Sequence, residues 1–375
     1  MIKVNEQRMI DEFIELVQID SETKHEEEIS AVLKNKMTEL GLTVTEDNAK
    51  EKTGHGANNL ICTLEANTDG ADSIYFTSHM DTVVPGKGIK PSIKDGYIVS
   101  DGTTILGSDD KAGIAAMLEM IKLLKENDVK HGQIQFIITV GEESGLVGAK
   151  AFDPTLLEAD YGYAVDSTGS VGNMIVQAPY QAKIEMISRG KTAHAGVSPE
   201  KGISAITLAA KAIAKMPLGR IDSETTANIG RFEGGKATNI VTDEAHILAE
   251  ARSLKNEKLE KQLAAMEQAC KEAAQEVGGS IEFNYELAYP GYELDTNEKV
   301  VQVAVNAGKK MGIESELQKT GGGSDANIFN GYGIPTANLC VGFEQIHTTN
   351  ERMPISELIK LAEYLTHIVI EAARQ

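Results

Sequence analysis

In "YFTSHMDTVVPG" (Tyr75–Gly86) an apolar stretch ends at His79, and Asp81 follows two residues later. In extended chain, positions i and i+2 point the same way, so this imidazole and carboxylate can meet one target. A single His-x-Asp is most often a solvated turn, but here equivalents recur. Asp109 and Asp110 stand in "LGSDDKAG", Glu142 and Glu143 in "TVGEESG", Asp166 after "DYGYAV", and His347 in "GFEQIHTTNE". Carboxylates massed together repel and stay ionised only beside a compensating cation. Imidazole and carboxylate without thiolate suit zinc, or manganese and cobalt, better than iron–sulfur chemistry. Five ligands exceed the three a catalytic zinc usually keeps. They suit two metals about 3.5–4 Å apart that share a carboxylate and a water.

These groups recur because the elements before them recur. Short β-like runs at 58–64, 72–78, 133–140 and 160–165 surround a helical segment at 112–126. There Ile114, Met117, Leu118, Ile121 and Leu124 follow the i, i+3, i+4, i+7 pattern. Two further helices are expected at 5–18 and 26–40. Alternating strands and helices predict an α/β fold class with a largely parallel sheet. Ligands of such sheets bind at the carboxyl ends of the strands, which is where His79, Glu142, Glu143, Asp166 and His347 fall. Near residue 178 the texture changes to β-α-β-β-α-β, the ferredoxin-like order. Its strands are expected at 182–188, 228–235, 245–253 and 280–287, and its helices at 203–215 and 256–277. From Pro290 the α/β texture returns, with helix 296–311, a Gly-rich turn at 320–324, strand 334–341 and helix 354–373. The expected organisation is a discontinuous catalytic domain, 1–177 and 291–375, with an inserted α+β lid domain, 178–290.

The 375-residue chain carries a net charge of −20, which argues against nucleic-acid partners and anionic membranes. Its three cysteines, Cys62, Cys270 and Cys340, are far apart, a pattern that fits a reducing cytoplasm rather than a disulfide framework. No run approaches the roughly 20 apolar residues of a membrane helix, and the acidic N-terminus is unlike a signal peptide. The expected location is cytoplasmic.

"SHMDTVVPG", "GSDDKAG", "GEESGLVGA", the strand-end Asp166, "KTAHAGVSPEKGISAI" and the late His347 together resemble the M20 family of dinuclear zinc peptidases. The likeness is greatest to its peptidase T (tripeptide aminopeptidase) branch and runs over nearly the whole chain. It implies a zinc-aminopeptidase type of catalytic domain. It further implies two Zn2+ per chain (Co2+ or Mn2+ as alternatives), one held by His79, Asp109 and Asp166, the other by Asp109, Glu143 and His347. By the same resemblance Asp81 orients His79, Glu142 is the general base, and a cis peptide joins Asp109 to Asp110. His194 of the lid resembles the histidine that stabilises the oxyanion. Arg252 matches the arginine that grips the substrate's terminal carboxylate, and Asn239 a neighbouring polar contact. Gly322, Gly323 and Ser324 match a turn whose backbone donates to substrate. Lid-to-lid homodimers are common in the family.

The chemistry implied is hydrolysis of peptide bonds in short peptides, with release of the N-terminal residue. Two cations lower the pKa of a bridging water toward about 7, and Glu142 moves its proton to the leaving amine. The same centre serves dipeptidases, carboxypeptidases and N-deacylases, so these stay open as alternatives. A non-catalytic peptide-binding homologue would lack a ligand or the base, and none is missing. The remaining histidines, among them His55, His131 and His246, are read as surface or packing residues.

Overall fold

Runs such as Ile74–His79 and Ile134–Thr139 form strands in which every residue is buried. Continuous burial marks a sheet covered on both faces. The structure, a computed structural model, describes residues 2–374. The nine-stranded sheet runs in the order Thr43–Glu46, Leu60–Leu64, Ile134–Thr139, Ile74–His79, Tyr161–Ser167, Thr336–Cys340, Met174–Ala178 and Tyr292–Glu293, with Leu317–Lys319 also pairing onto Met174–Ala178. Its four middle strands, Ile134–Thr139 to Thr336–Cys340, are mutually parallel. Antiparallel pairs flank them on both sides. The short strands Thr43–Glu46 and Met174–Ala178 are not apparent from periodicity.

Helix Ser108–Glu126 is buried along most of its length. Gly113 permits its close approach to the sheet, because a Cβ there would lie 2.6 Å from the Val165 carbonyl oxygen. Helix Glu6–Val17 is tied to it by Arg8, whose Nη2 lies 2.7 Å from Oε1 of the fully buried Glu119. Among the described residues no helix is long and apolar enough to cross a membrane.

The chain divides into two compact units. One comprises Met1–Val176, Glu293–Lys319 and Ser324–Gln375, the other Gln177–Tyr292 and Thr320–Gly323. The second unit is an antiparallel sheet in the order Gly219–Arg220, Thr225–Gly234, Glu244–Ser253, Tyr180–Arg189 and Ser280–Tyr289. Ala182, Ile184 and Met186 alternate with the exposed Lys183 and Glu185. The buried set packs with Leu208 of helix Ala205–Lys215 and with Leu259, Leu263 and Met266 of helix Asn256–Val277. The element order is β-α-β-β-α-β, with Gly219–Arg220 added as an edge. The Gly-rich turn is divided between the units: Thr320–Gly323 goes with the second, while Ser324 opens helix Asp325–Gly331 of the first.

Candidate metal centre

His79 ends its strand with its ring buried. Nδ1 donates to the main-chain oxygen of Asp81 at 2.9 Å, and the Asp81 carboxylate is farther off, at 3.5 Å. The tautomer is thus set chiefly by a carbonyl rather than by the carboxylate the sequence suggests. The carboxylate instead accepts the N–H groups of Glu142 (3.0 Å) and Glu143 (3.3 Å). Asp81 therefore fixes the Glu142–Glu143 turn as well as the imidazole. With Nδ1 protonated, Nε2 presents its lone pair to Asp109 Oδ1 at 3.1 Å and Asp166 Oδ1 at 3.8 Å.

Asp109 divides its two oxygens. Oδ1 faces His79, and Oδ2 lies 3.3 Å from Nε2 of His347, which is also 2.8 Å from Glu143 Oε1. Ligand atoms of His79, Asp109 and Asp166 lie within 4.8 Å of one another, as do those of Asp109, Glu143 and His347. The Asp109–Asp110 peptide is cis. Asp110 is buried and receives the Ser78 hydroxyl and the Gly113 N–H.

Crowding sets the electrostatics. Desolvation, then the Asp109 charge, raises Asp166 to about 8. Desolvation, then Asp166, pushes Glu142 well above the usual carboxylate range. Hydrogen bonds to Asp109 and Glu143 lift His347 to about 10. Burial opposes charge on His79, but Asp109, Asp166 and Asp81 outweigh it and raise its pKa. Lone pairs converging on carboxylates are stable only with protons or cations between them. Two divalent ions meet that demand at once, and the N/O donor set fits zinc, cobalt or manganese.

Neighbours that the sequence reading passes over hold these ligands. Asn338, a lone amide in the apolar strand Thr336–Cys340, accepts the Asp166 N–H at 3.1 Å and donates to the Asp166 carbonyl at 3.2 Å. A polar residue at the centre of such a strand is the signal that could have found it. Glu351, four residues after His347, is likewise buried and bonded to the segment that carries Asp109.

The remaining sequence-derived residues are placed differently. His194 and Asn239 are exposed in the second unit, on segments joined by the Ala195 N–H to the Asn239 carbonyl. His194 Nδ1 accepts the Gly196 N–H at 3.2 Å, which leaves the neutral ring's proton on Nε2. Arg252 is closed on Glu250 through two bonds of 3.0 Å and on the Gly321 carbonyl. Its guanidinium is already engaged, which an isolated strand-end arginine would not suggest. The Ser324 N–H is bonded to Asn327 Oδ1 at 3.0 Å within a helix cap, so it is committed there rather than open to a ligand. The Gly322 N–H bonds to Thr320 Oγ1. Gly323 lies against Tyr289, where a Cβ would come within 2.3 Å of the ring. Of the histidines read as surface or packing residues, His55 and His131 are buried and His246 is exposed, paired with Glu244 at 2.9 Å.

A largely parallel sheet with imidazoles and carboxylates clustered at its strand ends is an arrangement able to hold metal ions. The chain belongs to peptidase family M20/M25/M40, whose profile matches residues 75–371. It is 63% identical to an uncharacterised Bacillus subtilis protein, YqjE, over 99% of this chain and 100% of that one. It is 26% identical to peptidase T of Geobacillus thermodenitrificans, over 97% and 98% of the two chains. Among solved structures, the aminopeptidase PepT of Bacillus cereus aligns with a TM-score of 0.95 at 63% identity, over 99% of this chain and 100% of that one. A Staphylococcus aureus tripeptidase aligns with a TM-score of 0.95 at 52% identity, with the same coverage.

Proposed function

We propose that this peptidase is a dinuclear, metal-dependent aminopeptidase of the cytoplasm that removes the N-terminal residue from short peptides, tripeptides foremost. The observation that carries this reading is the division of Asp109, one oxygen toward His79 and the other toward His347, as a carboxylate shared by two cations requires. The likeness to an aminopeptidase and a tripeptidase over their whole lengths supports the substrate class. Three free, buried cysteines suit a reducing compartment. Ser280–Tyr289, the longer of the second sheet's two edge strands, is the edge we assign to a homodimer.

Bound at these residues, two zinc ions would acidify a water toward a pKa of about 7 and polarise the scissile carbonyl. Glu142, placed by the bond from its N–H to Asp81, takes the water's proton and returns it to the leaving amine. His194 offers Nε2–H to the oxyanion. Arg252 grips the substrate's terminal carboxylate after exchanging it for Glu250, with Asn239 and the Gly322–Gly323 turn beside the peptide.

The test is hydrolysis of matched di-, tri- and tetrapeptides with free and blocked termini, with and without a chelator. Tripeptides with a free N-terminus should be cleaved best. Chelation should abolish the activity, and zinc, cobalt or manganese should restore it. Undiminished hydrolysis by metal-free protein would overturn the proposal, and preference for N-acylated substrates would replace it with deacylation.

A further inference from the structure

Glu351 is 2% exposed, and among the described residues its hydrogen bonds come only from neutral donors, while the buried Lys111 acts on it through space. A buried carboxylate of that kind needs donors, and four are supplied by one segment of remote sequence. Oε2 accepts the N–H groups of Leu106 (2.8 Å) and Gly107 (2.9 Å); Oε1 accepts the Ser108 hydroxyl (2.6 Å) and the Asp109 N–H (3.1 Å). Gly107 is the N-cap of helix Ser108–Glu126 and has no capping side chain of its own. Glu351 therefore satisfies, from across the sequence, donors that would otherwise be orphaned.

The loop that carries Glu351 also carries His347. It is closed at its base by the Glu344 N–H to the Arg352 carbonyl (2.9 Å) and the Arg352 N–H to the Glu344 carbonyl (3.0 Å). The Arg352 guanidinium stacks 4.3 Å over the Tyr97 ring. The Glu351 N–H turns back onto the Thr348 carbonyl at 3.1 Å. One short, pinned loop thus holds His347 at one point and grips the backbone of Asp109 at another.

We infer that Glu351 is a positioning residue that sets the spacing between Asp109 and His347, and so the affinity of the Asp109–Glu143–His347 group for its metal ion. This rests on the dinuclear reading above. In the His79–Asp109–Asp166 group, His79 and Asp166 have supports of their own in the Asp81 carbonyl and Asn338, and only the shared Asp109 leans on Glu351. Loosening Glu351 therefore falls mainly on the other group. Glu351→Gln keeps the size of the side chain but turns an amide NH2 toward two of the four donors.

The experiment is titration of the metal-free 375-residue chain with cobalt(II), followed by calorimetry and by visible absorption. Wild type should take up two ions. Glu351→Gln should bind the first normally and the second about 10–100-fold more weakly, with an altered absorption band for that second ion. Glu351→Asp, which keeps the charge, should recover part of the loss. A lower melting temperature with unchanged second-ion affinity and spectrum would reduce Glu351 to a structural role and overturn the inference. If Glu351→Gln does not fold, Ser108→Ala removes one of the four contacts. It should weaken the second ion by a smaller factor, and an unchanged second affinity there is equally fatal. Wild type that takes up no cobalt would sink the dinuclear reading itself, a result visible before any variant is made.

Discussion

The two units bury their strands in opposite ways. In the first, Ile74–His79 and Ile134–Thr139 are buried at every residue; in the second, Tyr180–Arg189 and Glu244–Ser253 alternate between a packed face and an open one. A sheet covered on both faces offers functional groups only where its strands stop. Hence His79, Glu142, Glu143 and Asp166 lie at strand ends or just beyond them. A sheet with one bare face presents side chains along its length, as Lys183, Glu250 and Arg252 are presented. The first arrangement favours fixed, densely charged chemistry, and the second favours recognition by groups that can exchange partners.

Substitutions in the two units should therefore separate cleanly. The largest effect belongs to the first unit. Glu142→Gln should lower kcat by about 10²–10⁴-fold while metal content stays at the wild-type level. Glu143→Gln should instead release metal and lose activity with it, as plasma emission analysis of the dialysed proteins beside kinetics would show. If Glu142→Gln loses metal and Glu143→Gln keeps it, the two roles are exchanged. Next comes His194→Ala in the second unit, with a loss of about 10²–10³-fold in kcat and unaltered metal content. Steady-state kinetics beside metal analysis checks this, and an unchanged kcat would return His194 to the surface. The smallest effect is that of Arg252→Lys. It should cost about tenfold in kcat/KM for free over amidated C-termini, with little change for amidated peptides alone. Equal cleavage of both by wild type would remove the anchor and with it the contrast between the units.

Most of the candidate ligands were legible because they follow apolar runs that read as buried strands, while Asp109 stands where a helix begins, and because thiolates are missing among them. The inserted β-α-β-β-α-β unit was legible because "AKIEMIS" alternates where the earlier strands do not. Contacts that join distant segments left no local trace. Glu351 meets the Asp109 segment across more than 240 residues. Glu250, by contrast, is only two residues from Arg252 on the same strand face, the relation already used for His79 and Asp81, and its hold on the guanidinium was open to a local reading. Within the Gly-rich stretch one donor is already taken. Ser324 and Asn327 satisfy each other as a helix cap, a pairing three residues apart that the neighbouring glycines conceal. Short strands such as Thr43–Glu46 escaped notice because exposed polar residues make up most of their length.

The Glu344–Arg352 loop has a consequence for how this chain can change over time. Surface loops usually accept inserted residues freely, since lengthening a flexible connection costs little. Here the interval from His347 to Glu351 acts as a ruler with both ends attached. An added or deleted residue between them would displace the imidazole or release the carboxylate, with no neighbouring slack to absorb the shift. Length variation among descendants of this sequence should therefore gather elsewhere, in connections such as Ala66–Asp72, and leave this interval at its present count.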